Sequence, residues 1–132
     1  MWPPTEEQVR TNIAGAFERL SAGDYIEHVD LAFSPEGELV IHGPPDVVPG
    51  DFVGSDAIKQ GFAALFESVP VHDFVLHEIW VTTTPEVVTA AVVWTDAAER
   101  SDGSALPSQG MNYIQLGETG VIKEDIFITL DP

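Results

Sequence analysis

Apolar residues recur every three to four positions in the first half of the chain, a spacing typical of helices that pack one face inward. Three helices are predicted from this spacing, over residues 5–20, 24–33 and 55–69. Thr5 and Gln8 have the spacing of a capping box, and Gly23 suits the left-handed conformation that often ends a helix. Ser55 is the expected cap of the third helix, which Pro70 ends.

From residue 73 onward the period of the apolar positions changes to two, which is typical of strands. Four strands are predicted, over residues 73–83, 87–96, 108–116 and 121–130. A short strand over 39–42 follows a turn at 35–37 and precedes a loop over 43–54, rich in proline and typical of a lid or rim. Strands that follow helices predict an α+β fold, with about five strands in a curved, mainly antiparallel sheet around three N-terminal helices, in a single domain over residues 1–132.

The turn of the last hairpin predicts which side chains share a face of the sheet. A three-residue turn with Gly120 in the left-handed position predicts three cross-strand pairs, which are Leu116 with Ile122, Ile114 with Glu124, and Asn112 with Ile126. Asn112 and Glu124 are then the polar members of an otherwise apolar face, diagonally within reach of each other. Burial of an unpaired carboxylate is costly and raises its pKa. Glu124 is therefore expected to have a hydrogen-bond partner, to contact water or to serve a function in the site. A carboxyl at the sheet rim, solvated or bonded to Asn112, and a group in a pocket both stay open.

The strand predicted over 87–96 is apolar on both faces, with Ala90, Val92 and Trp94 on one side and Ala91 and Val93 on the other. Each apolar face of a sheet has to pack against another part of the protein or a partner, and the helices cover one of the two faces. A second copy of the chain is the simplest candidate for the other cover, so we expect a homodimer.

Acidic residues outnumber basic ones by 22 to 5, which gives a formal net charge of −17. Such a surface repels phosphate backbones and anionic lipids, so no nucleic-acid or membrane partner is expected. The absence of cysteine excludes disulfides and thiolate metal sites. The N-terminus lacks the pattern of a signal peptide, and we expect a cytoplasmic protein.

The order of several short motifs resembles that of the nuclear transport factor 2-like superfamily, and within it the SnoaL-like polyketide cyclase and ketosteroid isomerase-like branch. The motifs are the helix end Ser21-Ala22-Gly23-Asp24, the helix start Gly54-Ser55-Asp56-Ala57-Ile58, and the closing segment from Gly120 to Asp131-Pro132. The resemblance covers nearly the whole chain. It implies a cone-shaped, cystatin-like α+β barrel, a central pocket between helices and concave sheet, and frequent dimers packed through their sheets.

The catalytic residues of the ketosteroid isomerases are only partly matched. The resemblance places their tyrosine at Ala16, their aspartate base at His42 or Gly43, and their protonated aspartate at Asn112. The tyrosine donor is missing, so the isomerase itself is not expected. Asn112 can still donate a hydrogen bond to an oxyanion, and His42, at the end of a strand beside the long loop, is a candidate base at the pocket rim.

These observations predict a cofactor-independent acid–base enzyme (an isomerase, dehydratase or cyclase) that acts on an apolar, carbonyl-bearing substrate. The candidate catalytic residues are His42, Asn112 and Glu124. The candidate ligand-binding residues are Phe17, Phe62, Trp94, Ile114, Ile126 and Ile128. No metal site is expected, because His72 and His77 lie on opposite faces of one strand and His28 is expected to be solvated. The alternatives are a module that binds a hydrophobic ligand without catalysis and a dimerisation domain with a filled cavity.

Overall fold

The computed structural model describes residues 2–131, and Met1 and Pro132, the ends of the predicted domain, lie outside them. The helices in the described part are α1 (Glu6–Ser21), α2 (Tyr25–Ala32) and α3 (Ser55–Ser68), with a 3-10 turn at Pro45–Val47. The strands are β1 (Phe33–His42), β2 (Gly50–Val53), β3 (Phe74–Thr83), β4 (Val88–Glu99), β5 (Ala105–Gly117) and β6 (Gly120–Leu130). Over residues 2–131, no helix has both the length and the apolar character that a membrane span requires.

The helix ends follow local sequence signals with one exception. Thr5 and Gln8 form the predicted capping box, in which each side chain accepts a hydrogen bond from the other residue's backbone N–H, at 3.1 and 2.8 Å. Gly23 has the positive φ of 83° that was expected after α1. The predicted cap of α3 is wrong, because Gly54, with a φ of 90°, occupies the N-cap position and Ser55 is already helical.

The six strands form one mixed sheet in the order β2-β1-β6-β5-β4-β3, in which β1 runs parallel to β6 and the other neighbours are antiparallel. The predicted α+β class is confirmed. The predicted loop over 43–54 is partly wrong, because Gly50–Val53 extends the sheet by pairing with β1. β1 also begins at Phe33, so the predicted turn at 35–37 is instead an irregularity within this strand.

One face of the sheet packs on the helices and forms the core. The apolar stripe of α1 consists of Val9, Ile13, Phe17 and Leu20, all buried, and α3 contributes Ile58, Phe62 and Leu65. β4 alternates between buried side chains on this inner face and half-buried ones on the outer face. The curved sheet and the helices therefore enclose an interior volume, which contains the candidate site.

Candidate functional site

A cavity of about 550 Å³ lies between α1, α2 and the inner face of β4, β5 and β6. Its apolar wall includes Val9, Ile13, Phe17, Ala90 and Ile114. Its polar lining includes Asn12, Arg19, His28, Asn112 and Glu124. A cavity of this size accommodates a small organic molecule, and an apolar wall with a few converging polar groups is typical of a ligand site.

A second cavity of about 40 Å³ lies deeper in the core. Phe17, Leu20 and Asn112 line both cavities and therefore lie between them. The smaller cavity has room for little more than water.

Glu124, Asn112 and Trp94 form a buried chain of hydrogen bonds on the inner face. The Trp94 indole Nε1–H donates to Asn112 Oδ1 at 2.8 Å, and Asn112 Nδ2 donates to Glu124 Oε2 at 2.6 Å. Only 5% of Glu124 and 2% of Asn112 are exposed. Because an indole can only donate, it orients the Asn112 amide with its nitrogen toward the carboxyl group.

The environment of Glu124 keeps its carboxyl group partly protonated at neutral pH. Desolvation by burial raises its pKa from 4.5 to about 7, and the hydrogen bond from Asn112 opposes this rise only in part. Glu124 is therefore a buried group at the cavity wall, bonded to Asn112, and the alternative of a solvated carboxyl at the sheet rim is excluded.

The predicted pairing of the last two strands, which places Asn112 and Glu124 on one face of the sheet, is correct for most of the hairpin. Asn112 pairs with Ile126 and Ile114 with Glu124, as predicted. The predicted pair of Leu116 with Ile122 is wrong, because an irregularity near the turn shifts the register and pairs Leu116 with Val121. Val121 is consequently buried on the inner face, and Ile122 is exposed.

His42 lies on the outer face of the sheet and does not line either cavity. Its Nε2 is 3.0 Å from Asp125 Oδ1, and its ring stacks on Phe127 with centroids 4.4 Å apart. The expected position at the pocket rim is wrong, because Leu39 and Ile41 point inward along β1 and the alternation turns His42 outward.

The six predicted wall residues are divided between the two cavities. Phe17 and Ile114 line the larger cavity, and Phe17 reaches the smaller one as well. The other four, which are Phe62, Trp94, Ile126 and Ile128, line only the smaller cavity. The alternation of side chains along the strands identified the inner face correctly. It could not show that Phe17 and Leu20 of α1 divide the interior into two cavities.

Two polar residues of the larger cavity were missed or misassigned. His28 is buried, with its ring nearly perpendicular to those of Phe33 and Phe62, so the expectation that it is solvated is wrong. Burial, and secondarily the charge of Arg19, lower the pKa of His28 from 6.5 to about 4. Arg19 lies in the last turn of α1, and the apolar stripe of this helix gave no signal that it faces the cavity.

A buried histidine–aspartate pair lines the smaller cavity. His72 Nδ1 is 2.6 Å from Asp96 Oδ2, and the backbone N–H of Asp73 donates to Asp96 Oδ1 at 2.8 Å. The His72 ring stacks on Phe74 at 5.4 Å. This pair was missed because β4 was expected to end at residue 96, whereas it continues to Glu99 and holds Asp96 inside the sheet.

No family model matches the chain, and no curated protein matches it. Solved structures do match. A nuclear transport factor 2-like protein of unknown function from Burkholderia pseudomallei K96243 is 12% identical, with 89% of this chain and 87% of that chain covered and a TM-score of 0.70. The chain has the nuclear transport factor 2-like fold.

Two further structures with this fold carry functional names. A ketosteroid isomerase-like protein from Erwinia carotovora atroseptica SCRI1043 is 16% identical over 90% of this chain and 92% of that chain, with a TM-score of 0.72. A protein described as SnoaL-like polyketide cyclase from Jannaschia sp. CCS1 is 17% identical over 89% of this chain and 85% of that chain, with a TM-score of 0.61. The expected cystatin-like α+β barrel is confirmed. At these identities the likeness concerns the fold.

Proposed function

We propose that this nuclear transport factor 2-like chain is a cofactor-independent acid–base enzyme that transfers a proton on an apolar, carbonyl-bearing substrate. The observation that carries the proposal is the carboxyl group of Glu124, buried at the wall of the 550 Å³ cavity with a pKa of about 7. A group with a pKa near the working pH is both a good acceptor and a good donor of protons.

The hydrogen-bond chain assigns different roles to the two oxygens of Glu124. Oε2 accepts the N–H of Asn112, so a transferred proton resides on Oε1. Glu124 as carboxylate removes a proton from the carbon beside the substrate carbonyl, and the electron pair moves to the carbonyl oxygen. Return of the proton from Oε1 to another atom of the resulting enolate completes an isomerisation.

Asn112 is the proposed donor to the developing oxyanion. One N–H of its amide bonds to Glu124, and the other is available to an oxygen in the cavity, because the amide carbonyl is held by Trp94. His42 has no role in this proposal, since it lies on the outer face. The two solved structures named for an isomerase and a cyclase have the same fold and support this class of reaction.

The test is the exchange of α-hydrogens for deuterium in 2-tetralone, a bicyclic ketone, followed by NMR in deuterium oxide. We expect wild-type protein to accelerate the exchange and Glu124→Gln to lose at least about a hundredfold of this acceleration, the low end of the usual contribution of a general base. Glu118→Gln is the matched control, because Glu118 lies at the same cavity but is exposed.

Loss of exchange in the Glu118→Gln variant as well would contradict the assignment to Glu124. Binding of 2-tetralone without any acceleration of exchange would favour the alternative function, a module that holds a hydrophobic ligand in the same cavity.

We also propose that the outer face of the sheet binds a second copy of the chain. Trp80, Ala91 and Tyr113 lie in one cross-strand row, and Val93 and Met111 pair in a neighbouring row. Of these, Trp80, Tyr113 and Met111 are 53%, 39% and 36% exposed. Such an exposed apolar area is typical of an interaction surface.

Tyr113→Glu is expected to weaken this dimer at least about tenfold, because it places a charge in the apolar centre of the proposed interface. Sedimentation equilibrium of wild type and variant measures the effect. Ser101→Glu, in the exposed turn between β4 and β5, introduces the same charge away from this face and should leave the association unchanged. A monomeric wild-type protein would refute the proposal.

A further inference from the structure

Arg19 carries a hydrogen-bond donor that has no acceptor. Its Nε is buried without a partner among residues 2–131, and the side chain lines the larger cavity. The guanidinium group extends back over α1 toward Gly15, where a methyl group would meet Nη1 at 3.6 Å. Since Gly15 also lines the cavity, the absence of a side chain there leaves space beside the guanidinium group.

Three of the other four lysine and arginine side chains, all except Lys123, form ion pairs with carboxylates of residues 2–131. The ion pairs are Arg10 with Glu6 at 3.6 Å, Lys59 with Asp30 at 2.6 Å, and Arg100 with Asp46 at 3.2 Å. Within residues 2–131, no carboxylate oxygen lies within 4.0 Å of Arg19. Although the same cavity is also lined by Glu118 and Glu124, neither lies within ion-pair distance of Arg19, so its guanidinium group is available to an anion from outside.

His28 provides a second, independent group without a partner in the same cavity. Only 4% of the residue is exposed, and its Nδ1 is buried with no hydrogen-bond partner among residues 2–131. Because its pKa lies at about 4, the imidazole is neutral at pH 7 and carries one N–H. A buried polar atom without a partner is costly, so a ligand that supplies one gains affinity.

We propose that the cavity binds a ligand with an apolar body and a carboxylate group, and that the carboxylate accepts hydrogen bonds from Arg19 and His28. This inference rests on the proposed function and names its substrate class, an apolar keto acid. A single guanidinium group matches one carboxylate in charge and, with its parallel N–H groups, in geometry. Phe17 and Ile114 of the apolar wall are the contacts for the ligand body.

The net charge of −17 makes this selectivity unexpected from composition alone. Long-range repulsion opposes the approach of any anion, whereas at the cavity wall the low dielectric strengthens the attraction to Arg19. Preference for an anionic ligand over its neutral analogue is therefore a local property of the site.

The test compares the binding of 2-naphthoate with that of 2-naphthamide, which has the same ring system without the charge, by isothermal titration calorimetry at pH 7.5. Wild-type protein is expected to bind 2-naphthoate at least about tenfold more tightly, the usual range for hydrogen bonds to a charged group. Arg19→Gln should remove this preference and leave the affinity for 2-naphthamide within about twofold. Arg19→Lys, which keeps the charge without the paired N–H groups, should retain part of it.

Arg10→Gln is the matched control, because Arg10 lies on the same helix, is exposed and pairs with Glu6. It should leave both affinities unchanged. The proposal is overturned if wild-type protein binds 2-naphthoate no better than 2-naphthamide, or if Arg10→Gln and Arg19→Gln lower the affinity equally. Glu124→Gln separates the two proposals, because it should abolish proton exchange and keep the preference for 2-naphthoate.

Discussion

Replacement of Asp96 by alanine is expected to lower the free energy of unfolding by about 3 kcal/mol. Two donors lose their acceptor in this variant, the ring of His72 and the backbone N–H of Asp73. Each such loss costs about 1 to 3 kcal/mol when the group is buried. The stacking of His72 on Phe74 prevents the ring from turning toward water without further loss of packing.

Urea unfolding followed by circular dichroism measures this change. Asp96→Asn keeps an oxygen for the Asp73 N–H and should cost only about 1 kcal/mol, the value of one typical hydrogen bond. Glu99→Ala is the control, because Glu99 lies on the same strand with an exposed side chain. Equal stabilities of Asp96→Ala and Glu99→Ala would show that the pair with His72 does not stabilise the fold.

The ionisation of Glu124 is expected to cost the wild-type protein about 3 kcal/mol of stability at pH 8 relative to pH 4.5, because each unit of pKa difference is worth about 1.4 kcal/mol. Its pKa is raised in the folded state, from 4.5 to about 7. Between these values the folded protein retains a proton that the unfolded chain releases. The stabilisation of the folded state by the protonated Glu124 is therefore complete below pH 4.5, falls as the pH rises, and is lost above pH 7.

Glu124→Gln lacks this titration, so the free energies of unfolding of variant and wild type should diverge with rising pH. Urea unfolding from pH 5.5 to 8 stays above the isoelectric point of about 4.1 and covers about 2 kcal/mol of the divergence. Glu118→Gln, at an exposed position, should follow the wild-type curve. Parallel curves for Glu124→Gln and wild type would exclude a raised pKa.

The contact between Asn112 and Glu124 could be predicted because it depends on local rules. The three-residue turn with Gly120 sets the pairing of two long strands, and alternation then assigns each side chain to a face. The prediction failed near the turn, where the pairing shifts by one residue and Leu116 pairs with Val121 instead of Ile122. A bulge of this kind leaves no clear signal in the pattern of apolar residues.

The remaining part of the site depends on how separate elements pack together. Arg19 and His28 belong to two helices, and their common orientation follows from the rotation of α1 and α2 on the sheet. His42 was misplaced because the resemblance to the ketosteroid isomerases suggested a base at this position, whereas alternation after the inward Leu39 and Ile41 turns its side chain to the outer face.

The hydrogen bond from Trp94 to Asn112 connects an intrinsic fluorophore to the proposed acid–base group through a single amide. Trp94 is buried, Trp80 is exposed and Trp2 is half-buried, so the emission of Trp94 is expected at shorter wavelength than that of Trp80. Protonation of Glu124 changes the electric field along this chain. The emission of Trp94 should therefore change with the charge state of Glu124, which would make the cavity measurable without a label.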